Sequence, residues 1–103
     1  MGKIKDRKVI EFSRKIRKNF SVDKIIFFGS RARGDFLEES DYDFIIVSKD
    51  FKGIPFRDRI KKVYDFWRFK EDIEVLCYTP EEFKKKAKQI SMVREALKEG
   101  VEV

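Results

Sequence analysis

Residues 29–34, Gly29-Ser30-Arg31-Ala32-Arg33-Gly34, and residues 40–47, Ser40-Asp41-Tyr42-Asp43-Phe44-Ile45-Ile46-Val47, determine how this chain is organised. The apolar run Ile25-Ile26-Phe27-Phe28 leads straight into the first of them, so a buried strand delivers the backbone to a small Gly-Ser turn. With no bulky side chain at its apex, such a turn can bring backbone amides close to an anion such as a phosphate. Asp41 and Asp43 then open a second apolar run, and the two-residue alternation of a strand puts both carboxylates on one face. Paired carboxylates repel each other. A hard divalent cation such as Mg²⁺ relieves that repulsion, because it prefers oxygen ligands and shares them with substrate phosphates.

Outward from this stretch the chain alternates helices and strands. Val9, Phe12, Ile16 and Phe20 recur at helical spacing and predict a helix over 4–19 whose other face carries lysines and arginines. Residues 21–23 break it. The first strand is expected over 24–28, and its unbroken apolar run implies burial on both faces, as in the middle of a sheet. A short helical turn is expected over 30–33, then a polar loop over 35–39 with Phe36 and Leu37 tucked beneath it. The second strand is placed at 42–47 and its exit loop at 48–55. Phe56, Ile60, Val63 and Trp67 share one helical face, predicting an amphipathic helix over 56–69 with Trp67 as a core residue. A third strand follows over 72–78. Thr79-Pro80-Glu81-Glu82 is a helix start, with a capping Thr, Pro at the first helical position and acids in the first turn. Phe83, Ala87 and Ile90 continue its apolar face, and Met92, Val93, Ala96 and Leu97 carry it on beyond a break near Ser91. Gly100 ends the last helix, and residues 101–103 are expected to add a short edge strand. The fold class is α/β: a small mixed sheet packed with helices, its first two strands side by side so that Gly29-Ser30 faces Asp41 and Asp43.

Gly29-Ser30, Gly34 and Ser40-Asp41-x-Asp43, in this order and spacing, resemble the motif of the DNA polymerase β-type nucleotidyltransferase superfamily. The chain is similar to its minimal stand-alone members, the MNT proteins, over nearly its whole length. The resemblance implies a palm-like nucleotidyltransferase fold and transfer of a nucleoside monophosphate, AMP from ATP at the family level, to a hydroxyl of a protein or small-molecule acceptor. It implies Asp41 and Asp43 as ligands of two Mg²⁺ ions, and Gly29 and Ser30 as the grip on the β and γ phosphates. Arg31 and Arg33 are placed to add positive charge near the leaving group. Matching Tyr78-Thr79-Pro80-Glu81-Glu82-Phe83 to the minimal members puts the third catalytic acid at Glu74, where the family usually has Asp. Asp72 has the same strand parity and is the alternative. The resemblance also implies the antitoxin half of an MNT/HEPN toxin–antitoxin pair, acting on a tyrosine of a small helical HEPN partner. The competing reading is a nucleotide-binding module without turnover that acts by contact with a partner protein.

Composition agrees with one small domain over 1–103. The chain is 42% hydrophobic with eleven Phe, enough for a single core. Lys and Arg exceed Asp and Glu by six, and the pI near 9.5 fits an anionic partner. For most of the lysines a solvated surface is the commoner meaning, so nucleic acid is not the favoured partner. Cys77 is the sole cysteine, which excludes a disulfide within the chain and a cysteine metal site. There is no histidine, which removes a Ser-His-Asp triad and leaves carboxylates as the candidate catalytic groups. The N-terminus shows no apolar stretch of the kind found in signal peptides or membrane spans, so a cytoplasmic protein is expected.

Overall fold

In the computed structural model, which describes residues 6–35, 37, 39–89 and 92–103, Asp6 begins the first helix by accepting a hydrogen bond from the Lys8 N–H at 2.9 Å. Helix α1 therefore runs Arg7–Asn19. It starts later than the expected residue 4, because Asp6 is extended and serves as the cap; residues 4 and 5 lie outside the described residues. Its buried stripe is Val9, Phe12 and Ile16, as the spacing requires.

Strand β1, Val22–Phe28, begins two residues before the expected start. Its pairing with β2, Tyr42–Ser48, reaches back to Val22 opposite Ser48, with a register shift between Val22 and Lys24, at the exposed Asp23. The helical turn α2, Ser30–Arg33, lies between these strands as expected. The exit loop contains a 3₁₀ turn, Lys49–Phe51, capped by the Ser48 hydroxyl, which fully buries Phe51.

Helix α3 spans Phe56–Tyr64 and stops five residues short of the expected end. The Phe66 and Trp67 N–H groups donate to the carbonyls of Val63 and Tyr64, a tighter turn than an α-helix makes. That turn swings Trp67 inward, edge-on to Phe12 at 5.3 Å and 5.1 Å from the Tyr42 ring, with its indole N–H donating to the Glu71 carbonyl. Trp67 is thus structural, as expected, although it leaves the helix to become so. Phe56, by contrast, is 47% exposed.

Strand β3, Ile73–Tyr78, follows, starting one residue after the expected Asp72. Helix α4, Pro80–Lys88, opens with a capping box in which Thr79 and Glu82 satisfy each other's backbone N–H groups. Buried Arg59 clamps this corner, donating to Glu82 and to the Cys77 carbonyl. Helix α5, Met92–Glu99, ends at Gly100, whose N–H donates to the Ala96 carbonyl, and β4, Val101–Glu102, pairs with β1. The expected break near Ser91 and the Ile90 contact lie outside the described residues.

Among the described residues the strands form one mixed sheet in the order β3-β2-β1-β4, with β2 and β3 parallel and the other pairs antiparallel. Alternation divides its two faces. Phe27, Tyr42, Phe44, Ile46, Ile73 and Val75 meet α1 and Val63 of α3, while Ile26, Ile45, Val47 and Tyr78 meet Phe83, Val93 and Ala96 of α4 and α5. The expected tucking of the loop tip is corrected at Leu37, which is 78% exposed, on a short turn closed by hydrogen bonds between Leu37 and Ser40. Phe36 lies outside the described residues.

Candidate active site

Pairing across the sheet puts Phe28 opposite Asp43 and Asp43 opposite Glu74. The end of β1, the start of β2 and the start of β3 therefore meet at one edge of the sheet, on the face that α5 partly covers. Gly29 follows Phe28 with φ of +83°, a backbone region that L side chains avoid. A Cβ added there would run into the Asp43 carboxylate, at 3.0 Å from Asp43 Cγ. Only glycine combines that backbone with so close an approach.

Asp43 is half-buried, and its carboxyl is pushed up to about 6. Burial is the main cause, followed by the negative charges of Glu74 and then Asp41; Arg33 acts the other way. Glu74 lies within hydrogen-bonding reach of Asp43 while remaining exposed to solvent. Asp41 sits just before β2, between Ser40 and Tyr42, and the Tyr42 N–H donates to the Asp72 carbonyl at 2.9 Å. The sequence-predicted acids Asp41, Asp43 and Glu74 are thus neighbours, and the alternative acid Asp72 stands one step further out.

Several openings lie at or near this cluster. One of about 300 Å³ is lined by Gly29, Arg33, Asp43, Glu74, Glu95 and Glu99. A second, about 410 Å³, shares Glu74 and adds Asp41, Asp72, Tyr64 and Trp67. A third, about 450 Å³, is lined by Arg31, Glu39, Lys70, Glu71 and Asp72. The two arginines of the turn therefore part company. Arg33 borders the cavity holding Asp43, where its guanidinium pairs with Glu99 at 2.9 Å and with Asp35 at 3.3 Å. Arg31 borders the far cavity and donates to the Ser40 carbonyl and the Tyr42 hydroxyl.

Sequence reasoning missed Tyr64, whose hydroxyl is pushed up by burial and then by the charges of Glu74, Asp72 and Asp41. It also missed Glu95 and Glu99. Their spacing on one face of the last helix was a usable signal, but nothing local says that this face meets Gly29.

The donor set can be tested against a divalent cation. Among the described residues no group of three or more His, Cys, Asp or Glu forms a metal-holding cluster. Mg²⁺ commonly takes one or two carboxylates and completes its shell with water and substrate phosphates. Adjacent Asp43 and Glu74, with Asp41 close enough to raise the Asp43 pKa, fit that requirement. A hard cation would also relieve the charge crowding from Glu74 and Asp41 that adds to the effect of burial on Asp43.

Comparison with known proteins bears on this geometry. A family model described as "Nucleotidyltransferase domain" matches residues 9–103. A protein of Methanocaldococcus jannaschii named "putative protein adenylyltransferase" is 35% identical over 101 residues, covering 92% of this chain and 98% of the relative. The crystal structure of a "putative nucleotidyltransferase" from Sulfolobus solfataricus superposes with a TM-score of 0.65 at 26% identity, over 93% of this chain and 76% of that one. A structure described as a toxin–antitoxin with AMP-PNP superposes with a TM-score of 0.54 at 18% identity, over 96% of this chain and 72% of that one, a likeness of fold alone.

Proposed function

The chain belongs to the nucleotidyltransferase domain family, and from that premise we propose that it moves AMP from ATP, with Mg²⁺, onto a hydroxyl of a partner protein. The observation that carries this reading is the contact of Gly29 with Asp43 and of Asp43 with Glu74, which sets a phosphate-sized turn against paired carboxylates. The name of the 35% identical relative supports a protein acceptor, while ATP and an antitoxin role come from the resemblance to the minimal nucleotidyltransferases. The resemblance to minimal nucleotidyltransferases makes a small HEPN protein in the cytoplasm the expected partner.

In this reading Asp43, Glu74 and Asp41 hold two Mg²⁺ ions, which when bound neutralise the triphosphate and acidify the attacking hydroxyl. Gly29 and Ser30 bind the β and γ phosphates through backbone amides and the Ser30 hydroxyl. Arg33 adds positive charge beside them. Glu74, the most exposed of the three acids, takes the proton from the acceptor hydroxyl. The acceptor oxygen bonds to the α phosphorus, the bond to the β phosphate breaks, and pyrophosphate leaves.

The test is transfer of labelled AMP to a small HEPN protein supplied as the acceptor, with and without Mg²⁺, by the parent, Glu74→Ala and Asp72→Ala. Transfer by the parent and Asp72→Ala but not by Glu74→Ala supports the assignment; the reverse pattern moves the third acid to Asp72. A second reading is a binding module without turnover. It is favoured by the exposed Glu74, a residue longer than the family's Asp, and by Arg33 being held in ion pairs. ATP binding without transfer to that partner would select it.

A further inference from the structure

We infer that Arg31 is a positioning residue, a brace that locks the phosphate turn to the metal-binding strand, rather than a ligand of the nucleotide. The inference rests on the transferase reading above. Arg31 lies one residue after Ser30, yet its guanidinium turns away from the cavity that holds Gly29 and Asp43. Its Nε donates to the Ser40 carbonyl at 2.7 Å, and its Nη1 donates to the Tyr42 hydroxyl at 3.3 Å. The guanidinium carbon also stands 4.4 Å from the centre of the Tyr42 ring. Ser40 and Tyr42 are the two residues that flank Asp41.

Both are fixed from other directions as well. The Ser40 hydroxyl accepts from the Leu37 N–H at 3.1 Å, closing the loop on itself. The Tyr42 hydroxyl donates to Asp6 Oδ2 at 2.6 Å, while the other oxygen of Asp6 caps α1. Tyr42 is 2% exposed, so its hydroxyl depends on these partners. The sequence of contacts Asp6, Tyr42, Arg31, Ser40 therefore runs from the helix cap through the core to the backbone at Asp41. A planar guanidinium can donate to two acceptors and lie over a ring at once, which a lysine ammonium cannot do from the same position.

A brace and a phosphate ligand predict different phenotypes. For a brace, Arg31→Lys keeps the charge but loses the fork, so kcat falls about tenfold to a hundredfold, the loss expected of a misplacement near 1 Å, while KM for ATP stays within about twofold. Tyr42→Phe, which keeps the ring and removes only the hydroxyl, lowers kcat in the same way, and the double variant is little worse than either single one. Half-saturating Mg²⁺ rises in all three. For a phosphate ligand, Arg31→Lys raises KM for ATP and Tyr42→Phe is silent; that pattern overturns the inference.

Amide hydrogen exchange in the metal-free and nucleotide-free protein supplies a readout that needs no activity. Exchange at residues 40–43 should quicken at least tenfold in Arg31→Lys and Tyr42→Phe, with β1 unchanged. Unchanged exchange at 40–43 overturns the brace, as does quickened exchange with unaltered kcat. If the parent transfers no AMP, the transferase reading fails on that result, and the exchange data still decide whether the brace exists.

Discussion

Along β2, Tyr42, Phe44 and Ile46 point to the face under α1 and are at most 2% exposed, while Asp43, between the first two, points to the other face and stays half-buried against Glu74. The same strand thus builds the larger sealed core on one side and, at the start of the other side, a cluster of like charges beside the smaller core around Ile45 and Val47. The difference teaches where the stability comes from. The core side has Phe12 against Phe44 at 4.9 Å and Trp67 edge-on to both, large areas of apolar contact without polar compromise. The site side gives up stability so that carboxylates and a left-handed glycine can stand where a ligand needs them.

The sharpest way to break this contrast is on the core side. Phe44→Ala should cost about 3–5 kcal/mol, a large part of the stability of a domain this size, and leave little folded protein at 37 °C by thermal melting. Asp43→Asn should do the opposite. A carboxyl whose folded pKa lies above its unfolded value contributes its full stability below the unfolded pKa and loses it as pH rises through the folded one. For Asp43 that window is from about 4 to about 6. In metal-free urea titrations the variant and parent should be equally stable near pH 4. By pH 7 the variant should be ahead by on the order of 2 kcal/mol, a figure reduced for the partial solvent access of the site. The same variant should lose Mg²⁺-dependent ATP binding by calorimetry; retention would show that the destabilised carboxyl serves no cation.

Gly29→Ala tests the two sides at their junction. Its added methyl meets Asp43 in a backbone region that Ala avoids, so about 1–3 kcal/mol of stability should be lost along with AMP transfer. The smallest effect is expected at the rim. Glu99→Gln removes one of the two exposed partners of Arg33 and one negative charge from the cavity, and should tighten ATP binding by about two- to fivefold, in line with the weakness of surface ion pairs. Weaker binding in this variant would mean that Glu99 holds Arg33 in its working position.

Much of this arrangement was legible because it is local. The glycine turn, the Asp-x-Asp alternation and the Thr-Pro-Glu-Glu capping box each state their geometry within a few residues, and α2, β2 and α4 stand almost where those signals put them. What stayed hidden depends on contacts between distant residues. The end of α3 is set by Trp67 turning into a pocket formed by Phe12 and Tyr42, so the apolar stripe continued in sequence after the helix had stopped. The opposed directions of Arg31 and Arg33 depend on Ser40 and Glu99, nine and sixty-six residues away from them. Leu37 is the plainest failure: apolar character predicted cover, and the loop provides none.

The outer edge of β3 has one more consequence. Its unpaired carbonyls are not all open, because the Tyr64 hydroxyl occupies that of Ile73 and the Arg59 guanidinium occupies that of Cys77. A terminal strand reading Val75-Leu76-Cys77-Tyr78 would otherwise template the addition of a second chain. Helix α3 interrupts that template at both ends of the strand. The protein can therefore keep an apolar strand at the border of its sheet, close to the site, with part of that border's hydrogen-bonding row already taken.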